Sequence, residues 1–300
     1  MRQFGWDLLR FVAFGIGALV ALGLAAQIHP KVESTLFAKP GSYGYTYRRI
    51  PEFIERSRIE SIDMVILGSS TCYRGIDPFY FAEVDLRSFN LCSSAQSLFN
   101  SKHLLHWSLQ KGANPSAILV DVYPTMWTSS GIESCRDLTV NHDHALQAPF
   151  LRMAAETQDP FNFILALYSG IARTFRPLSF PEQADLYKTG GFTYSVRTPV
   201  DRLDCTSEVV TMSSKQARAF QRIRRTCEEE GIQLLLVNPP QLCEEVFEKP
   251  EVMEGLPWIE GNEWPLAKVD TLYYDDHHLR GVGAELYSEW LAERVVALMD

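Results

Sequence analysis

Two short stretches of this chain carry the side chains that nucleophilic chemistry needs. Gly68-Ser69-Ser70 follows an apolar run, and Asp275-Asp276-His277-His278-Leu279 stands near the carboxyl terminus. A serine hydroxyl attacks poorly until a base takes its proton, and a carboxylate must then orient that base. Asp275 and His278 lie three positions apart, so a turn brings both side chains to one side. By residue type alone His277 serves as base as well as His278 does, and Asp276 can replace Asp275. Each stretch also has a plainer reading. The first can be a tight or phosphate-cradling turn, the second a polar turn with Asp276 capping the last helix.

The flanking sequence supplies elements to position these groups. Residues 62–67 read as a buried strand ending at Gly68, and 88–91 as a second short strand. Residues 94–111 form a helical pattern with Leu98, Leu105 and Leu109, closed by Gly112. A third strand over 117–122 stops at Pro124. A helix over 214–230 with Gly231 as cap leads into the strand 233–237, followed by Asn238-Pro239-Pro240. A short strand near 269–273 and an amphipathic helix over 282–298 complete the series. This alternation predicts an α/β fold with a mostly parallel sheet and helices on both faces. Ligands bind at the carboxyl ends of such strands, which puts Ser70 at the functional edge, beside the backbone N–H groups of a helix start. The stretch of about 125–212 breaks the rhythm. It reads as an insertion over the site, with apolar segments at 146–156 and 161–173 and a loop at Thr189-Gly190-Gly191.

Composition narrows the class. The chain has 300 residues, 46% apolar and 22% charged, and a net charge of −9, which excludes a nucleic-acid binder built on clustered cations. Phe11 to Ile28 carries no charge and follows Arg2 and Arg10, so residues 1–30 read as a transmembrane helix with a cytoplasmic amino terminus. Cleavage after Gly23-Leu24-Ala25 as a signal peptide is the alternative, and both readings export the rest. Ala13, Gly17, Ala21 and Ala25 share one helix face, which reads as the ordinary small-residue content of such helices. Residues 31–60 read as a linker and lead-in broken by Pro40, Gly41, Gly44 and Pro51, and 61–300 as the α/β domain.

Cys72, Cys92, Cys135, Cys205, Cys227 and Cys243 form no CxxC pair. Most read as buried packing residues; export would allow disulfides, whose pairing the spacing does not assign. Asn141-His142-Asp143-His144 reads as solvated loop rather than a metal site, and no cofactor is expected. Trp127, Trp258 and Trp264 read as packing residues.

Taken in order, Gly68-Ser69-Ser70 and Asp275-x-x-His278-Leu279, with Gly283-Ala284 after them, resemble the first and last blocks of the SGNH (GDSL-like) hydrolase superfamily. Asn90-Leu91-Cys92-Ser93-Ser94-Ala95-Gln96 resembles the second block, which usually carries glycine where Cys92 or Ala95 stands. Leu67-Gly68-Ser69-Ser70 and Arg74-Gly75-Ile76-Asp77-Pro78 are similar to the membrane-anchored branch, which includes the D-alanyl transfer protein of lipoteichoic acid synthesis and the alginate O-acetylation proteins. The resemblance covers about 60–124 and 215–300. It implies a flavodoxin-like three-layer sandwich, with Ser70 as nucleophile, His278 as general base and acid, and Asp275 as orienter. It implies an oxyanion hole from the backbone N–H groups of Ser70 and of Cys92 or Ser93. The third block, normally Gly-x-Asn-Asp, is replaced by Asp121-Val122-Tyr123-Pro124. The expected activity is acyl transfer to, or ester hydrolysis on, an envelope or exported glycan at the outer side of the inner membrane. Its expected partners are an acylated donor or glycan acceptor and a multi-spanning membrane acyltransferase. The alternative is a degenerate domain serving as a binding or assembly module.

Overall fold

The computed structural model describes residues 2–28, 44–140, 148–160, 162–164, 166–167, 185–201, 203, 205 and 209–299; of residues 2, 19, 20, 22–28 and 140 only the backbone is described. Five parallel strands form the central sheet: β1 (Met64–Leu67), β2 (Ser88–Asn90), β3 (Ala117–Asp121), β7 (Gln233–Asn238) and β9 (Trp258–Glu260), in the order β2-β1-β3-β7-β9. The strand order reverses between β1 and β3, and the crevice outside the carboxyl ends at such a switch point is where ligands bind. Every residue of β1 and β3 is buried, as strands covered on both faces require, and both read as unbroken apolar runs until Gly68 and Asp121.

Alternate strand residues enter two cores. Val65, Leu67, Ile118, Val120, Leu234 and Leu236 face one side with α5 (Leu98–Gln110) and α8 (Ser214–Glu230). Met64, Ile66, Leu119, Leu235, Val237 and Ile259 face the other with α3 (Ser70–Gly75), α4 (Pro78–Ala82) and α9 (Gly281–Met299). Helix α8 follows the expected bounds: Ser213 caps it by accepting from Gln216 N–H, and Gly231 closes it at φ +67°. On its inward stripe lie Ala219, Phe220, Ile223 and Cys227. Helix α5 starts later than the apolar pattern suggests, at Leu98, because Asn100 Oδ1 accepts the Ser97 N–H at 3.1 Å and turns the chain there.

Three expectations need correction. Part of the lead-in is a helix, α2 (Thr46–Ile59), which buries Arg49, Ile50 and Phe53. Pro51 suggested a break, but burial of this face outweighs the one helical bond that a proline removes. The short strand near 269–273 is instead a 3-10 turn over Asp270–Leu272. The fifth strand is β9, paired with β7 from Leu236↔Trp258, and three residues are too few to display a strand period. Within the expected insertion, α6 (Ile132–Val140) and α7 (Ala148–Glu156) extend the first core through Cys135, Leu138, Phe150 and Met153 rather than forming a cover. Thr189-Gly190-Gly191 is the turn of a hairpin between β4 (Leu186–Lys188) and β5 (Phe192–Tyr194). Most of the expected segment 161–173 and the whole of 141–144 lie outside the described residues. Two two-residue strands, β6 (Val209–Val210) and β8 (Val246–Phe247), pair apart from the main sheet.

The amino-terminal helix α1 (Arg2–Ile28) leaves its described apolar side chains uncovered, with Phe4, Trp6, Leu9, Phe11 and Phe14 each at least 63% exposed. Among the described residues no helix is long and apolar enough to cross a membrane. Much of the run Phe11–Ile28 falls on residues described by their backbone alone.

Candidate active site

Gly68 ends β1 where a side chain has no room: a Cβ there would lie 2.3 Å from Asp121 Cβ. Ser69 follows in extended conformation, and Ser70 is the first residue of α3. This turn lifts the Ser70 hydroxyl to the carboxyl edge of the sheet, half-buried.

The second stretch reaches the same point from the far end of the chain. Asp275 Oδ1 accepts the N–H groups of His277 at 3.1 Å and His278 at 2.7 Å, an Asx-type turn that folds 275–278 back on itself. Asp275 Oδ2 then lies 2.7 Å from His278 Nδ1, and His278 Nε2 lies 2.7 Å from Ser70 Oγ. Of the pairs that residue type left open, Asp275/His278 is therefore the one in line with Ser70. His277 pairs with Asp276, Nδ1 to Oδ1 at 2.7 Å, and stacks on Tyr123 at 5.4 Å. Asp276 does not cap the last helix, which begins at Gly281. The loop is also held from behind: Leu242 and Cys243 donate to the Asp276 carbonyl at 2.9 and 3.3 Å, and Cys243 is disulfide-bonded to Cys205. Cys72, Cys92, Cys135 and Cys227 are buried free thiols, and burial raises the pKa of Cys72, which speaks against a thiolate beside Ser70.

Charge balance favours a base at rest. Burial lowers the His278 pKa to about 4, helped by the neighbouring His277 and Arg74 cations, and this outweighs the upward pull of Asp275. Burial pushes Asp275 up, yet the hydrogen bond and charges of the two imidazoles bring it down to about 2. At neutral pH the pair is thus carboxylate and neutral imidazole, the form able to accept the Ser70 proton. His277 is lowered by burial, but the bond to Asp276 and the carboxylates of Asp275, Asp276 and Glu245 raise it overall. Tyr274, which residue reading missed, stacks flat on His278 with ring centres 5.3 Å apart and an interplanar angle of 5°. The guanidiniums of Arg74 and Arg197 lie 5.7 and 4.7 Å from the Tyr274 ring centre, and both pair with Asp185.

Asp121 stands where the third block would be. Its Oδ2 accepts from Ser69 N–H (3.0 Å), Ser69 Oγ (2.9 Å) and Thr71 Oγ1 (2.8 Å), and its Oδ1 from Tyr123 N–H (2.7 Å). It braces the turn that carries Ser70 from beneath. Burial raises its pKa against these bonds. An acidic residue closing a wholly apolar strand was the signal for it.

The expected oxyanion donors need one correction. The Ser93 N–H donates to the Gly68 carbonyl at 3.2 Å and is spent there. Ser70 and Cys92 remain the candidate pair. Ala95, a position where glycine is usual in the block it resembles, has φ +44°, the left-handed region that glycine enters most easily.

Asp275, His277 and His278 are close enough together to hold a metal ion, with one ligand atom of each within 4.8 Å of the others. Their bonding argues against that use: Asp275 Oδ2 and both His278 nitrogens are already engaged within the Ser70 chain. Trp127 and Trp264 are buried in the interior and Trp258 is half-buried, so packing accounts for them.

No protein-family model matches this chain, and neither a curated protein nor a solved structure matches it.

Proposed function

We propose that this chain is an SGNH-type serine enzyme that handles acyl groups on a cell-envelope or exported glycan, with Ser70 as nucleophile, His278 as base and acid, and Asp275 as orienter. The observation that carries this reading is the unbroken chain Ser70 Oγ–His278 Nε2, His278 Nδ1–Asp275 Oδ2, both links 2.7 Å, at the carboxyl edge of a parallel sheet. His278 takes the hydroxyl proton as Ser70 attacks the acyl carbonyl. It returns that proton to the leaving group as the acyl-serine forms. The N–H groups of Ser70 and Cys92 stabilise the oxyanion. A sugar hydroxyl, or water, then gives its proton to His278 and attacks the acyl carbonyl; the bond to Ser70 Oγ breaks, and His278 returns the proton to that oxygen.

Strand order and the two-sided core support the flavodoxin-like SGNH architecture. The uncharged run Phe11–Ile28, preceded by Arg2 and Arg10, supports a single membrane anchor with the domain outside the cytoplasm. The Cys205–Cys243 disulfide fits an oxidising compartment. Replacement of the Gly-x-Asn-Asp block, with its oxyanion-binding asparagine, by Asp121-Val122-Tyr123-Pro124 favours transfer from a dedicated donor, with a multi-spanning acyltransferase as partner, over fast hydrolysis. The same substitution is what favours the competing reading, a degenerate binding module.

The test is hydrolysis of p-nitrophenyl acetate by the full chain. Slow turnover that vanishes in Ser70→Ala and in His278→Ala supports the enzyme; turnover that survives both removes this site, and none in any form favours the binding module.

A further inference from the structure

Arg49 carries a cation wholly inside the protein, 0% exposed, on a helix that none of the chemistry above uses. Its Nη1 donates to the Cys92 carbonyl at 2.8 Å, Nε to the Gly191 carbonyl at 2.9 Å and Nη2 to Thr193 Oγ1 at 3.3 Å, and the guanidinium lies 4.8 Å from the Tyr73 ring centre. A buried charge is costly without a counter-charge, and Asp121, also buried, poses the mirror problem. Two peptide groups join them. The Cys92 carbonyl that accepts from Arg49 belongs to the peptide whose N–H, on Ser93, donates to the Gly68 carbonyl at 3.2 Å. The Gly68 carbonyl belongs to the peptide whose N–H, on Ser69, donates to Asp121 Oδ2 at 3.0 Å. Each peptide therefore points its carbonyl oxygen toward the cation and its N–H toward the carboxylate. Dipoles in that order are stabilised by both charges and strengthen one another. The two peptides adjoin the candidate oxyanion donors: the Gly68–Ser69 peptide precedes the one that carries the Ser70 N–H, and the Cys92–Ser93 peptide follows the one that carries the Cys92 N–H.

We propose that Arg49 is a positioning residue for acyl transfer, which through the Cys92 and Gly68 peptides and Asp121 holds the nucleophile turn and the oxyanion loop in fixed relation. This rests on Ser70 as nucleophile for its catalytic meaning, but the relay itself is a statement about backbone bonds. The hairpin shares in it, because Gly191 comes so near that a Cβ there would lie 2.1 Å from the Asn90 carbonyl oxygen.

The experiment uses the full chain in detergent and two readouts: amide hydrogen exchange of the segment 68–73, and the rate of fluorophosphonate labelling at Ser70. Wild type is compared with Arg49→Met, Arg49→Lys, Asp121→Asn and the double variant Arg49→Met/Asp121→Asn. Arg49→Met is expected to speed exchange in 68–73 and to slow labelling by about tenfold or more, the scale of a misplaced oxyanion donor. Lysine can still reach one carbonyl and is expected to restore part of both. Because the two residues act through one chain, the double variant is expected to be little worse than the worse single one. Unchanged exchange in Arg49→Met, or losses that multiply in the double variant, overturns the relay. If Arg49→Met does not fold, Arg49→Lys against Arg49→Gln decides the same point, the relay predicting slower exchange in the lysine form and failing if the two are equal. A wild-type chain that does not label at Ser70 overturns the proposed function, while the exchange readout still decides the relay.

Discussion

His278 Nε2 lies 2.7 Å from Ser70 Oγ although the two residues are 208 positions apart in the chain. That contact is assembled by two independent turns: the steric turn at Gly68, and the Asx turn in which Asp275 captures the N–H groups of His277 and His278. Asp275 thus shapes the loop with one oxygen and orients the imidazole with the other.

Asp275→Asn keeps the turn's shape but loses the charge that fixes the tautomer and supports the imidazolium. Turnover of p-nitrophenyl acetate should fall by about 10²–10⁴ in kcat with little change in KM. Asp276→Asn, whose carboxylate serves His277, should change kcat far less. Steady-state kinetics on both variants checks the assignment.

The low pKa of His278 sets the acid limb. His278 must be neutral to act as base, so activity should persist as pH falls and drop only near pH 4, well below the ordinary imidazole value of 6.5. Asp275, at about 2, stays ionised across that range. His277→Gln removes a cation that lowers His278, so the limb should move to higher pH. The pH profile of kcat/KM for the two proteins measures this shift.

Reduction of Cys205–Cys243 should cost stability and activity together. Opening a loop with a sequence separation of 38 releases about 4 kcal/mol on the chain-entropy model. Cys243 also donates to the Asp276 carbonyl, so the turn that holds His278 loses a support. Thermal melts of Cys205→Ser should show a lowered Tm, and kcat should fall more than KM rises.

Gly68→Ala should be severe. Its Cβ would meet the Asp121 side chain, which is itself locked by four donors, so neither side can yield. The expected loss is about 3 kcal/mol or more, measured by denaturant unfolding, against about 1 kcal/mol or less for Gly75→Ala, where the backbone is ordinary and a Cβ would meet Leu279 Cδ1 at 3.7 Å.

Much of this site was legible in the residues themselves. Gly68, Ser70, Asp275 and His278 are types with special backbone or chemical demands; Gly68 and Ser70 follow a strand that hydrophobic patterning reveals, and Asp275 and His278 lie shortly before the last helix. The supporting groups were not legible, for a physical reason. Arg49 lies in a segment that Pro51 and nearby glycines mark as irregular, and its burial depends on a hairpin 142 positions away. Tyr274 stacks on His278 only because the Asx turn folds the loop back. Strand β9 went unseen because its three residues gain their identity from pairing with β7, not from a pattern of their own. The choice between the Cys92 and Ser93 N–H groups stayed open because sequence shows which N–H groups are near a loop and not which carbonyls they already serve.

Covalent capture of Ser70 tests the account most directly. The full chain is treated with a serine-directed fluorophosphonate, digested, and the adduct located by mass spectrometry. The account predicts a single adduct on Ser70, lost in His278→Ala and slowed in Asp275→Asn. An adduct on another serine, or none under conditions where a control esterase is fully labelled, would contradict it.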